Sequence, residues 1–245
     1  MKTSKKKLKF STWLQQSLWF IKLRPLIWLG YSVLVGILLI LGKMSMAAGI
    51  LAAVTSLFVG VGVAKYIDMQ VNAENPVTLV WAIKKSLPLA ILAAISIVAC
   101  WFIFMLIASL LSEEYYKIPQ FFFHWELTEQ NLVRENLRDV LGWLYSYANV
   151  TLIFVLLMLN SFVGWFSHPL MLFNDTSWSQ AKSQSDWAMA RNQGAIYKML
   201  GFICFEAILC STVTPLLTPI LFTLTSTIMY VSHKSLFEEE LEGDA

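Results

Sequence analysis

The side chain with the most chemical potential is Glu206, a lone carboxyl inside the apolar run Gly201-Phe-Ile-Cys-Phe-Glu206-Ala-Ile-Leu-Cys210. A carboxylate near the middle of a bilayer costs roughly 2.5–3.5 kcal/mol on insertion scales, so such a residue is a functional candidate by default. Three uses are open to it. It can be protonated and hydrogen-bonded within the bundle, matched by a partner subunit, or engaged with a proton, cation or polar ligand. No acidic or basic residue falls at an equivalent depth in another apolar run. Asn160 and Ser161, with Thr212 and Thr214, are the neutral groups that could meet it.

Other chemistry is sparse. Cys100, Cys204 and Cys210 all lie in apolar runs and form no CxxC pair, where cysteine usually serves as a small hydrophobe. Cys204 and Cys210 are six apart on one helix and face different ways, and the methionines are scattered, so no convergent soft-metal site is expected. His124, His168 and His233 are far apart in sequence. Phosphate-binding lysine loops, GxSxG, HExxH and dinucleotide fingerprints are all missing. Asp68, Asp175 and Asp186 sit near the ends of apolar runs, with Asp175 reading as part of a helix cap beside Thr176 and Ser177. We therefore expect no enzyme, no cofactor and no metal. A lipid-acting rim of Asp175, Asp186, Arg191 and Asn192 is the weakest alternative.

The elements that must position these groups are membrane helices. The chain has 245 residues, 57% hydrophobic and only 14% charged, against about 25% charged in a soluble domain. A span needs about 20 mostly apolar residues. Pro25 to Gly42, Met44 to Ala64, Ser86 to Ser112 and Val140 to Ser167 satisfy this. Met199 to Ser232 is too long for one helix, and Pro215 and Pro219 among hydroxyl residues read as a break. Splitting it gives spans at about Gln193 to Val213 and Thr214 to His233. The fold class expected is an all-α polytopic bundle of about six transmembrane helices with short interfacial amphipathic helices. It forms one integral membrane domain, with a basic segment at 1–24, a bundle at 25–233 with an outer loop at 113–139, and an acidic tail at 234–245.

Basic residues orient the bundle. Lys2, Lys5, Lys6, Lys7, Lys9, Lys22 and Arg24 precede the first span. Lys65, Lys84 and Lys85 join the second to the third, and Lys182, Arg191 and Lys198 join the fourth to the fifth. All fall on one side. The other side has Lys43 and the net acidic stretch Glu113 to Asp139. Both termini are expected in the cytoplasm of a bacterium, at the inner membrane. Lys22 and Arg24 interrupt the apolar stretch a cleavable leader would need, so the first span is expected to be retained. The basic N-terminal cluster fits an anionic membrane surface, and no basic stripe suggests nucleic acid.

The connecting segments carry their own signals. Asn75-Pro76 reads as a helix start. Ser177-Trp178-Ser179-Gln180 fits a capping box, and Ser11 to Leu23 is a third short helix. Each of the three helices has a tryptophan with a cation three or four residues on: Trp19 with Lys22, Trp81 with Lys84, Trp187 with Arg191. Headgroup anchoring explains the pattern, and a threefold scaffold is the sharper alternative. In the outer loop, Phe121, Phe122, Phe123 and Trp125 form an aromatic cluster suited to the interface or to docking a partner. Thr128 to Asp139 reads as an amphipathic helix.

Gly164-Trp-Phe-Ser-His-Pro169-Leu-Met-Leu-Phe-Asn-Asp175, followed by Trp178, Ala181 and Trp187-Ala-Met-Ala-Arg191-Asn192, resembles the segment after the fourth helix in uncharacterised bacterial six-helix inner-membrane proteins. The Trp-rich helix ending in Arg24-Pro25 has a counterpart there. Ala181-Lys182 departs from the Ala-Met of that pattern. The resemblance implies a six-helix fold and brings no activity with it. The leading expectation is a non-enzymatic subunit or assembly factor of a membrane complex, in contact with the lipid bilayer and with a membrane protein partner or a second copy. Ala47-Ala-Gly49 and Gly60-Val-Gly62 suit close helix packing. The alternative is a small transporter or lipid-handling protein using Glu206 and the broken terminal hairpin.

Overall fold

A computed structural model describes residues 9–71, 78–126, 128, 137–174 and 176–237, and the described residues contain helices and no strand. Helix α1 is Phe10–Leu23 and α2 is Pro25–Leu39, extended by a 3-10 turn at Ile40–Lys43. Next come α3, Met46–Val71, and α4, Leu79–Leu111, with a single turn α5 at Lys117–Gln120. Helix α6, Leu137–Met158, widens into a π turn at Leu159–Val163. Two short helices follow, α7 at Ser167–Phe173 and α8 at Trp178–Arg191, then α9 at Gln193–Thr212. A 3-10 turn at Pro215–Leu217 leads into α10, Thr218–Phe237.

Among the described residues, six helices are long and apolar enough to cross a membrane: Pro25–Lys43, Met46–Val71, Leu79–Leu111, Arg138–Val163, Gln193–Thr212 and Pro215–Phe237. The chain is thus a multi-pass, all-α membrane protein. The split of the last apolar run occurs where the two prolines sit. Pro215 is buried against Gly142 and starts the 3-10 turn, while Pro219 lies in the first turn of α10, where its missing N–H is no loss. Pro88 lies inside α4 without ending it. The helix start expected at Asn75-Pro76, the amphipathic segment at 129–136, the residues 1–8, Asp175 and the acidic run 238–245 lie outside the described residues.

Two parallel helices, α3 and α10, form the centre. In each, 72% of the most apolar window is buried, against 17% in α4. Glycines set the spacing. A Cβ on Gly60 would lie 2.4 Å from Ser226 Oγ of α10, and one on Gly62 would lie 2.7 Å from Ser86 Oγ of α4. Small residues of this kind let helix backbones approach closely where lipid removes any hydrophobic drive between helices. Ser226 Oγ donates across the contact to the Leu57 carbonyl at 2.7 Å.

Helix α10 is an unusual core helix because Thr218, Thr223, Thr225, Ser226, Thr227 and Ser232 are all buried. The hydroxyls of Thr223, Thr225 and Thr227 donate to carbonyls four residues back, at 2.8–3.1 Å. Each of these three hydroxyls is thereby satisfied within its own helix, and α10 presents small volumes to its neighbours. Ser32 and Thr223 hydroxyls meet at 2.8 Å, and Tyr31 donates to the Ser56 carbonyl, which ties α2 into the same centre.

The two ends of the bundle differ. At one end, Lys43 is buried, pairs with Glu126 at 2.9 Å and lies 4.6 Å from the Trp143 ring centre. The loop after α5 is fixed there by Ala47 N–H donating to the Phe121 carbonyl and Glu126 N–H donating to the Lys43 carbonyl. Tyr147 fills the notch left by Gly42 and Gly49. At the other end lie Lys65, Lys85, Arg191, Lys198 and Lys234, and we refer to it as the basic end. Helices α1, α7 and α8 cover it. Trp13 Nε1 donates to Ser235 Oγ at 2.8 Å, and Trp165 Nε1 donates to Ser232 Oγ at 3.2 Å. Gly164 turns the chain from the π turn into α7 at φ +89°, a conformation L side chains avoid, and a Cβ there would strike Ser185 Oγ at 2.6 Å. The Ser177 N–H donates to Gln180 Oε1 at 3.3 Å, the backbone half of the expected capping box.

Candidate functional site

The densest gathering of chemically able side chains is buried at the basic end. It comes from the last turns of α3 and α10. Lys65 and Asp68 are three residues apart, as are Tyr230 and His233, with Lys234 next, so each set shares one helix face. Because α3 and α10 run parallel, the two sets meet at one depth. Asp68 Oδ2 accepts from the Tyr230 hydroxyl at 2.5 Å, and Lys234 Nζ donates to both carboxylate oxygens at 2.8 and 2.7 Å. The Asp68 side chain is 12% exposed and that of Lys234 35%. The pair is therefore a charge-assisted clamp between helix ends, half sheltered from water.

Aromatic rings pack around the clamp. Phe173 of α7 meets Tyr230 and His233 edge-on, at centroid distances of 5.9 and 5.6 Å, and Lys65 Nζ lies 5.7 Å from the Phe173 ring centre. His168 of α7 is stacked on Phe58 at 4.2 Å. Beside them is a cavity of about 180 Å³ between α3, α4 and α7, lined by Lys65, Tyr66, Trp81, Lys85 and Phe173 with Gly62 among its walls. A lining of cations, rings and a phenol holds a polar or anionic group by charge and stacking. It offers no nucleophile with an adjacent base.

His168 gives this end a pH dependence. Neither ring nitrogen has a hydrogen-bond partner among the described residues, and burial pushes the imidazole down from about 6.5 to about 3. The folded chain therefore keeps His168 neutral where the unfolded chain takes up a proton. Stability from this group is fully present above pH 6.5 and falls as pH drops toward 3, by about 2 kcal/mol at pH 5. Unfolding of the purified protein followed between pH 7 and pH 5 should show this slope. His168→Phe, which keeps the stacking on Phe58, should make that slope shallower by His168's share.

The residues singled out from sequence are spread over the molecule. Glu206 is half-buried on α9, beside the buried stripe Ile196, Met199, Ile203, Ala207 and Cys210 and next to the exposed Phe205. It makes no hydrogen bond or ion pair among the described residues, and neither the cavity above nor the two at the start of α9 has it in its lining. Asn160 lies in the π turn, beside a cavity of about 200 Å³ shared with Asp186, Gln193 and Tyr197. Ile196 also lines that cavity, and Glu206 is ten residues further along α9, about 15 Å at 1.5 Å per residue. Glu206 and Asn160 are not brought together. Phe121 is buried against Phe102 and Phe122, whereas Phe123 is 85% exposed and Trp125 60%. Phe121 anchors the loop, and the others form its surface.

His124 sits at the far end beside Glu126, while His168 and His233 are at the basic end. Among the described residues no three His, Cys, Asp or Glu side chains are grouped to hold a metal. Of the tryptophan–cation pairs, Trp187 stacks with Arg191 at 4.4 Å, and Trp81 meets Lys85 rather than Lys84. The Asp68 clamp was the feature missed. Its signal was an acid and a base closing two apolar runs on the same side. No protein-family model, no curated protein and no solved structure matches this chain.

Proposed function

We propose that the chain is a non-enzymatic subunit or accessory factor of a larger membrane complex, seated in a bacterial cytoplasmic membrane with both termini in the cytoplasm. Glu206 carries this reading. It lies about 20 Å along α9 from Gln193 and about 9 Å short of Thr212, within the apolar span and at the edge of its lipid-facing surface. A carboxyl in that position is expensive without a partner, and the flank it occupies is open to another transmembrane helix, from a second copy or a different protein. The exposed rings of Phe123 and Trp125 at one end, and the largely bare face of α4, are further surface for such contacts. The orientation follows from the lysines and arginines gathered at the basic end.

Purification of the tagged chain in a mild detergent, with mass spectrometry of the intact assembly, tests this. The expected result is a stoichiometric partner or a defined oligomer, lost in Glu206→Leu. That substitution makes span insertion easier by roughly 3 kcal/mol, so lost association with intact folding separates partner contact from stability. A lone chain in both preparations would sink the proposal. A second reading, lipid handling, is favoured by the cationic aromatic cavity beside Lys65 and Lys85. A lone chain carrying bound lipid would select it.

A further inference from the structure

A second cavity at the basic end, of about 500 Å³, lies between the start of α1 and the corner joining α8 to α9. Three cations line it, from three different elements: Lys9 before α1, Arg191 at the end of α8 and Lys198 in α9. No carboxylate shares the lining. Asp186, on the neighbouring face of α8, is paired with Lys182 at 3.3 Å. Lys9 and Lys198 form no ion pair among the described residues, and Arg191 rests on the Trp187 ring, which leaves its N–H groups to the side. Three like charges around one space repel one another, and an anion between them removes that repulsion.

The backbone adds to the same space. Helices α1 and α9 both begin at this cavity and neither has a side-chain cap. A Cβ on Gly194, in the first turn of α9, would meet nothing within 4 Å. The first turns of two helices and three cationic side chains thus line one volume. Exposed aromatic residues flank the helices that form the cavity. Tyr197 is 59% exposed on α9, and Trp187 is 52% exposed on α8, the placement expected of aromatic residues at headgroup depth.

We propose that this cavity binds a phosphate group, carried by an anionic phospholipid whose headgroup enters between Lys9, Arg191 and Lys198 while its chains follow α9. Arginine takes the phosphate oxygens in a forked, directional way, and the two lysines supply point charge. The assignment does not depend on a partner at Glu206.

The test uses the full chain in mild detergent, titrated with phosphatidylglycerol and followed by native mass spectrometry, with phosphatidylcholine as the zwitterionic comparison. Phosphatidylglycerol is expected to bind one per chain at low concentration. Lys9→Gln/Arg191→Gln/Lys198→Gln should weaken that binding on the order of a hundredfold, at about fivefold per charge. Lys22→Gln/Arg24→Gln/Lys84→Gln removes the same charge outside the cavity and should stay within about twofold of the wild type. Equal losses in the two triple variants, or none in either, would overturn the proposal, since the effect would then be general surface charge. If the first triple variant does not fold, Arg191→Gln alone must still show its fivefold loss. Millimolar inorganic phosphate distinguishes the source: lipid retained in its presence identifies the headgroup in its membrane setting, and lipid displaced identifies a site for free phosphate.

Discussion

Gly60→Leu is expected to destroy the centre of the bundle. A Cβ at residue 60 would sit 2.4 Å from Ser226 Oγ and 2.7 Å from Ser226 Cβ, and 3.1 Å from the Tyr31 ring. Nothing there is the free end of a flexible chain. Ser226 is held by its bonds to the Leu57 and Phe222 carbonyls, and Tyr31 by its bond to Ser56. Overpacking of a filled core costs typically 1–3 kcal/mol and occasionally more, and a leucine here also breaks the bond between α10 and α3. A loss of at least about 3 kcal/mol is expected, read as early thermal unfolding in detergent. Gly60→Ala should be milder and should be rescued in part by Ser226→Gly, because the two positions share one contact. Gly30 and Gly201 are the controls. A Cβ at either meets nothing within 4 Å, so alanine there should be neutral or stabilising by up to about 1 kcal/mol. Unfolding of Gly60→Leu at the wild-type temperature would mean that α3 and α10 do not touch at Ser226.

Asp68→Ala should be the most damaging single change at the basic end. It removes the carboxylate that both the Lys234 ammonium and the buried Tyr230 hydroxyl donate to. Breaking a buried ion pair costs about 3–5 kcal/mol and an exposed one under 1. The clamp lies between these limits, so about 2–4 kcal/mol is expected. Adding Lys234→Met should recover part of the loss, because the stranded charge is then gone. Equal damage in the single and double variants would show that Asp68 acts through some group other than Lys234.

Much of the fold was legible because lipid imposes simple constraints. Spans follow from apolar length, and the observed helices match the expected ones within a few residues at most ends. Two ends depart further: the second span, expected to end at Ala64, runs on to Val71, and the third was expected to start at Ser86. There α4 begins at Leu79, capped by Thr78 accepting from Trp81 N–H, so the short interfacial helix and the span are one continuous rod. Gly60 and Gly62 were readable as packing residues, although which helix each would meet was not. Phe121 shows a limit of another kind. Three phenylalanines in a row look alike in sequence, and only the turn at α5 decides that Phe121 points inward and Phe123 outward. The inner place of α10 was least legible. Its threonines and serines lower its hydropathy, which argues for a peripheral helix, yet their hydroxyls bond within the helix and leave a slim rod suited to the centre. The Asp68 clamp joins residues 166 apart, a distance over which pattern gives only sidedness. For Glu206, its place along the apolar run was legible, and the face of α9 it occupies was not.

The most direct test of a partner at α9 is site-specific photo-crosslinking in the intact membrane, with a photoreactive amino acid in place of Phe205, the exposed neighbour of Glu206. One protein adduct of defined mass, abolished by Glu206→Leu, is the result expected if another transmembrane helix covers this flank. Adducts to lipid alone, the same with and without Glu206, would contradict it.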